Sequence, residues 1–218
     1  MRKLCVFDLD GTLADSINSI AYFANLTIQK YGIEPVETEH FKKFVGDGAA
    51  KLIERLLKFR NVYPENYEKI LREYNKSYDE DFLYLCKPYD GISDLLYNLK
   101  QSGIRISVLS NKPHSTTIKI VHALYGEDIF SNIYGQRENI ALKPDPEALL
   151  SILEELKIKP EECVYIGDTK TDMMTGKNAG VFTVGVLWGF RDKTELTEYK
   201  ADAIVSKPLE ILDYVLAV

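Results

Sequence analysis

From Cys86 onward the chain alternates between helix-spaced and strand-like apolar runs, and this alternation restricts the fold more than any other feature. Ile92, Leu95, Leu96 and Leu99 recur at helical spacing until Gly103, and residues 105–109 read as a strand ending at Ser110-Asn111-Lys112. A helix carrying Ile118, Val121 and Leu124 follows, then a short strand near Ile133-Tyr134. Next comes a helix with Pro146 in its first turn, bearing Leu149, Leu150, Leu153 and Leu156. Residues 163–166 form a further strand, succeeded by a helix that closes at Ala179-Gly180. Strands over 181–186 and 203–205, and a terminal helix from Pro208 with Leu209, Leu212 and Val215, complete the series. Strands separated by helices pair in parallel, so the pattern predicts a parallel sheet.

Near the start, Leu4-Cys5-Val6-Phe7 is apolar without polar alternation, which suits a parallel strand covered on both faces. Between this strand and the alternating region the pattern is helical, with no convincing strand. Ile17, Ile20, Ala21, Ala24 and Ile28 mark one helix, and Leu52, Ile53, Leu56 and Leu57 mark another after Gly46-Asp47-Gly48. A longer one opens near Pro64, with Tyr67, Ile70, Leu71, Tyr74, Tyr78 and Phe82 on one face. The expected fold class is therefore α/β, a doubly wound, Rossmann-like parallel sheet with an inserted all-helical cap domain. Residues 1–14 and 87–218 make the catalytic body and 15–86 the cap, hinged over the carboxyl ends of the strands. A length of 218 residues with 45% hydrophobic content is enough for one such domain with its insert.

A net charge of -6 argues against nucleic acid or an anionic membrane as the partner, and favours a small ligand. The apolar stretch behind Met1-Arg2-Lys3 stops at Asp8, too short for a signal-peptide core or a membrane span, so a cytoplasmic location is expected. Cys5, Cys86 and Cys163 are odd in number and widely spaced, which suggests neither a disulfide framework nor a zinc site. Cys5 and Cys163 read as buried small hydrophobes. His40, His114 and His122 include no pair at ligand spacing, and Trp188 reads as packing near the mouth of the crevice.

Three strand ends carry polar groups: Asp8 and Asp10, then Ser110 with Asn111, then Asp168 with Asp172. Lys143 sits in a proline-rich loop between the last two. In a doubly wound sheet the carboxyl ends open on one side, so these residues converge on one crevice. Alternation lets Asp8 and Asp10 point the same way while Leu9 returns to the core, Gly11 permits a tight turn and Thr12 lends its hydroxyl. Acids placed directly after a buried run carry a desolvation and repulsion penalty that a simple turn does not require. Magnesium, which prefers oxygen ligands, relieves it.

Asp8-Leu9-Asp10-Gly11-Thr12, Ser110-Asn111, Lys143-Pro144 and Gly167-Asp168-Thr169-Lys170-Thr171-Asp172, in this order and with a helical insert after the first, resemble the four motifs of the haloacid dehalogenase-like phosphohydrolases. The resemblance implies that Asp8 is the nucleophile, forming an aspartyl-phosphate, and that Asp10 protonates the leaving alcohol and then activates water. It further implies that Thr12, Ser110, Asn111 and Lys143 bind phosphate. Magnesium would be held by Asp8, Asp168 and the backbone carbonyl of Asp10, with Asp172 behind them.

Val45-Gly46-Asp47-Gly48 with Lys51 and Arg55, together with Ser110-Asn111-Lys112-Pro113, is similar to the phosphoglycolate phosphatases of that family. This implies a small phosphorylated metabolite as substrate, read in the cap by Lys51 and Arg55, in a monomer or homodimer. The alternatives are a sugar phosphomutase of the same fold, a pyrophosphatase or broad phosphatase, and a non-catalytic phospho-acceptor. Ala49 stands where the mutases carry a phosphate-gripping arginine, and a true dehalogenase does not need Asp10.

Overall fold

The structure is a computed structural model that describes residues 2–63 and 65–216. Its first strand, β1 (Leu4–Phe7), is buried along its whole length. Leu4 and Val6 face one apolar cluster while Cys5 and Phe7 face the other, as the unbroken apolar run requires of a strand covered on both sides. The chain then turns through Gly11 into a two-residue strand, β2 (Ala14–Asp15).

Four helices follow: α1 (Ile17–Gln29), α2 (Thr38–Phe44), α3 (Gly48–Phe59) and α4 (Tyr67–Glu80). They form because apolar residues recur at helical spacing and pack together: Ile20, Ala24 and Ile28 from α1, Phe41 from α2, Leu52 and Leu56 from α3, Ile70 and Tyr74 from α4. The expected opening of α4 near Pro64 lies outside the described residues; the helix is seen from Tyr67 and ends before Phe82. A second two-residue strand, β3 (Lys87–Pro88), returns antiparallel to β2, so the chain enters and leaves the helical insert through one narrow ribbon. The sequence pattern contained neither this ribbon nor α2.

Beyond the ribbon the chain alternates as its periodicity predicts: α5 (Ile92–Gln101), β4 (Arg105–Pro113), α6 (His114–Tyr125), β5 (Asn132–Gln136), α7 (Glu147–Leu156), β6 (Cys163–Gly167), α8 (Lys170–Asn178) and β7 (Phe182–Val186). A short α9 (Lys193–Glu198), β8 (Ala203–Val205) and, after a 3-10 turn, α10 (Leu212–Val215) end the described chain. Pro146 caps α7 from outside its first turn. The strand expected to stop at Leu109 continues to Pro113, because its polar residues Ser110, Asn111 and Lys112 are buried too and the pairing with β5 shifts register there.

The six-stranded sheet runs β5-β4-β1-β6-β7-β8, parallel throughout. Strand order thus reverses direction at β1, and a crevice at such a switch point is where open α/β sheets bind ligands. Register places Phe7 beside Val108 on one side and Ile166 on the other, so the residues after all three stand at one level along the carboxyl edge. Cys5 and Cys163 are buried and unpaired, as expected of small core residues, and Cys86 is also a free thiol. No helix among the described residues is long and apolar enough to cross a membrane.

Candidate functional site

At the carboxyl edge of β1 the Asp8 backbone stays in the sheet, its N–H donating to the Ile166 carbonyl at 2.9 Å, while its side chain turns to Lys143. The Lys143 ammonium lies 2.8 Å from Asp8 Oδ1, 2.8 Å from Asp172 Oδ1 and 3.2 Å from the Leu109 carbonyl. Its three N–H donors are thereby matched by three acceptors. Burial would lower the Lys143 pKa, but the charges of Asp172 and Asp8 outweigh it and hold the group well above its ordinary value.

Asp168 is fully buried, and among the described residues no cationic side chain pairs with it. Thr12 Oγ1 donates to its Oδ1 at 3.1 Å and the Phe190 N–H to its Oδ2 at 2.8 Å. Gly11, at φ +88°, and Gly189 press against this carboxylate so closely that a Cβ on either would collide with it. Burial and the neighbouring Asp172 and Asp8 push the Asp168 carboxyl well up. Asp8 is pushed up to about 7 by burial and Asp172, against the pull of Lys143.

Oxygens of Asp8, Asp168 and Asp172 lie within 4.8 Å of one another. Two of these buried carboxylates share the Lys143 ammonium and the third, Asp168, pairs with no cation among the described residues, and this all-oxygen donor set fits a hard divalent cation such as magnesium. Both Asp172 oxygens are otherwise engaged. Oδ1 takes Lys143 and, at 3.3 Å, the Tyr165 hydroxyl, and Oδ2 takes the Thr169 N–H and hydroxyl at 3.0 and 2.7 Å. The Asp10 side chain points away from this cluster, accepting from Ser16 Oγ at 2.6 Å and pairing with Lys112 Nζ at 3.0 Å.

A cavity lies between this edge and the helical insert. Asp8, Asp10, Ser110, Lys112 and Lys143 line its core side, and Val45, Ala49, Leu52, Tyr74 and Tyr78 line the other. The insert is held down on the core by side chains from three core segments. Arg191 Nη2 donates to the Val45 carbonyl at 2.9 Å, Asn111 Nδ2 to the Gly46 carbonyl at 3.1 Å, and Thr171 Oγ1 to Asp47 Oδ1 at 2.8 Å. Asp79 of α4 accepts from Thr116 and pairs with Lys119 of α6 at 2.6 Å.

Of the residues singled out from the sequence, Asp8, Asp168, Asp172 and Lys143 meet in one network, and Asp10 and Ser110 face the adjoining cavity. Four others stand differently from expectation. Thr12 is wholly buried with its hydroxyl on Asp168, so it steadies that acid instead of facing the cavity. The Asn111 amide is spent on the Gly46 carbonyl and on both backbone groups of Lys143, which makes it a brace between insert, β4 and the Lys143 loop. Lys51 and Arg55 do not line the cavity. Lys51 pairs with Glu54 in solvent, and Arg55 turns to Asp47 and the Phe44 carbonyl, because Leu52 and Leu56 take the inward face of α3.

The sequence reading passed over Lys112. Its side chain is 8% exposed, and its ammonium lies against Asp10 and 4.2 Å from the centre of the Tyr78 ring. Its place two residues after Ser110 at a polar strand end was the available signal. Trp188 packs as expected, its indole N–H donating to the Thr12 carbonyl at 3.0 Å. His40 stacks at a tilt on Phe59, and His114 Nδ1 accepts from the Gly135 N–H, so neither belongs to the site.

Residues 5–186 match the family model of haloacid dehalogenase-like hydrolases. The chain is 33% identical over 210 residues to a phosphoglycolate phosphatase of Aquifex aeolicus, an alignment covering 96% of this chain and 95% of that one. Among solved structures, it superposes with a TM-score of 0.94 on a candidate phosphoglycolate phosphatase from Lactobacillus delbrueckii subsp. bulgaricus, at 26% identity over 100% of both chains. A haloacid dehalogenase-like hydrolase from Streptococcus pneumoniae gives a TM-score of 0.86 at 26% identity, covering 98% of each.

Proposed function

Because the chain belongs to the haloacid dehalogenase-like hydrolases, we propose that it is a magnesium-dependent phosphatase of small carboxylated phosphate monoesters, with phosphoglycolate as substrate. The observation that carries this reading is the crevice edge itself, where Asp8, Asp168 and Asp172 crowd together, Lys143 pairs with two of them and Asp10 lines the adjoining cavity. We take residues 15–86 as a cap that moves on the β2/β3 ribbon over a core of 1–14 and 87–218.

In this reading an Asp8 carboxylate oxygen attacks phosphorus, the bond from phosphorus to the ester oxygen breaks, and Asp10 gives its proton to the departing alkoxide. Asp10 then takes a proton from water as that water attacks phosphorus, and the bond from phosphorus to Asp8 breaks to release phosphate. Splitting the transfer this way replaces one slow displacement by two assisted ones. Lys143 holds Asp8 in place and offsets its charge, Asp172 orients Lys143, and Ser110 and the Asn111 backbone face the transferred phosphoryl group. Asp8, Asp168 and the Asp10 carbonyl would hold magnesium, which when bound neutralises charge on the carboxylates and the phosphate.

Phosphoglycolate is favoured over sugar phosphates by the cavity's cap side. Val45, Ala49, Leu52, Tyr74 and Tyr78 stand close over the polar edge, with the Asn75 amide and the tyrosine hydroxyls as their polar groups, which leaves few partners for the several hydroxyls of a sugar ring. The test is phosphate release from a panel of phosphoglycolate, hexose phosphates, nucleotides and pyrophosphate with magnesium. Phosphoglycolate is expected to give the highest kcat/KM, and a preference for sugars or pyrophosphate would overturn the substrate. Undiminished turnover in excess chelator would overturn the metal.

A further inference from the structure

We propose that Lys112 is a specificity-determining residue that receives the non-reacting anionic group of the substrate, a carboxylate borne one methylene away from the ester oxygen. The inference deepens the reading just given and rests on it.

Two cationic side chains line the cavity among the described residues, Lys112 and Lys143. Lys143 is saturated by Asp8, Asp172 and the Leu109 carbonyl. Lys112 is not: of its three N–H donors, one is matched by Asp10 Oδ2 at 3.0 Å and another faces the Tyr78 ring. Among the described residues its one ion pair is with Asp10, and the neighbouring Tyr78 hydroxyl is itself without a hydrogen-bond partner. A buried cation with an unused donor, opening on a cavity whose opposite wall carries no charged side chain, offers a paired and desolvated contact to an anion.

Position adds to charge. Lys112 is one ion pair away from Asp10, the acid assigned to the leaving oxygen, so the atoms attached to that oxygen lie beside Lys112. A carboxylate one methylene beyond reaches it, and a neutral alkyl end does not use it. Tyr78 carries the cap's half of the arrangement. Its hydroxyl is buried without a hydrogen-bond partner while its ring covers the ammonium, so Lys112 is enclosed when α4 sits on the core. This assigns to a core lysine the carboxylate contact that the outward-turned Lys51 and Arg55 do not make.

The test compares kcat/KM for phosphoglycolate and for ethyl phosphate, its uncharged counterpart of equal length, with magnesium, in the parent chain and in Lys112→Met, Lys112→Gln and Lys112→Arg. Whatever these variants lose through Asp10 they lose for both esters, so the ratio of the two values isolates recognition. The parent is expected to favour phosphoglycolate, and Lys112→Met and Lys112→Gln to lose about tenfold to a hundredfold of that preference, mainly through KM, while Lys112→Arg keeps most of it. Lys112→Gln keeps a polar tip beside Asp10 and stands in if thermal melting shows Lys112→Met unfolded. A parent preference that survives in both neutral variants overturns the role of Lys112 and leaves the proposed substrate standing. A parent that turns over both esters equally overturns both.

Discussion

The two walls of the cavity are built on opposite terms. On the core wall every charged group is tied to another: Lys143 to Asp8 and Asp172, Asp172 to Thr169 and Tyr165, Asp10 to Ser16 and Lys112. On the cap wall Lys51 and Arg55 face outward and the inward positions are uncharged, apolar or aromatic but for the Asn75 amide. A preorganised network suits the step in which charge develops, because its dipoles need no rearrangement at that moment. An apolar lid suits selection and the exclusion of water, since it strengthens the contacts beneath it without competing for them. On the proposed function, the chemistry and the reading of the substrate's charge belong to the core and shape selection to the cap.

If that division holds, the largest effect belongs to the core. Asp8→Asn should lower turnover of every phosphate monoester by at least about 10³-fold, because it removes the attacking oxygen and no cap contact replaces it. Comparable losses on all esters, measured as kcat under saturating substrate, are the expected outcome; a loss confined to one ester would mean that Asp8 is not the common nucleophile.

Next comes Lys143→Met, which leaves Asp8 and Asp172 buried without their shared ammonium. Breaking a buried pair in this way costs about 3–5 kcal/mol, so the urea midpoint should fall markedly, and added magnesium should recover part of it. A midpoint that does not move would mean the network is not the tightly held element described.

Cap contacts should be worth less. Asp47→Ala removes the acceptor for the buried Thr171 and the partner of the half-buried Arg55, at about 1 kcal/mol of stability and about fivefold in kcat/KM, while phosphoryl transfer to Asp8 survives. Lys51→Ala is the smallest, changing kcat/KM for phosphoglycolate and for sugar phosphates by no more than about twofold, because an exposed pair with Glu54 is screened by water. A selective loss with phosphoglycolate would instead draw Lys51 into the site.

The same contrast explains what could be read from the sequence. The central sheet was legible because β1, β4, β6 and β7 are runs of apolar residues and the acids stand directly after two of them. Asp8, Asp168 and Lys143 followed from that placement and from four motifs in order. The ribbon of β2 and β3 was not legible, since two residues per strand carry no period. Nor was α2, which buries Phe41 and Phe44 alone, or α9, which buries Leu196 alone. Lys51 and Arg55 were assigned inward from charge, but periodicity gives the buried face to Leu52 and Leu56 and does not say which lysine a cavity will enclose. Lys112 lay at a strand end that looked like a turn, and its burial depends on α4 folding back over it.

The central claim, that the core wall carries out phosphoryl transfer through Asp8, is tested most directly by trapping the enzyme during turnover. The full chain is mixed with phosphoglycolate and magnesium, quenched in acid, and mapped by peptide mass spectrometry beside an Asp8→Asn protein checked for deamidation. The account predicts one phosphoryl group on Asp8 in the parent and none in the variant. A phosphoryl group on any other residue, or one retained by the intact Asp8→Asn protein, would contradict it.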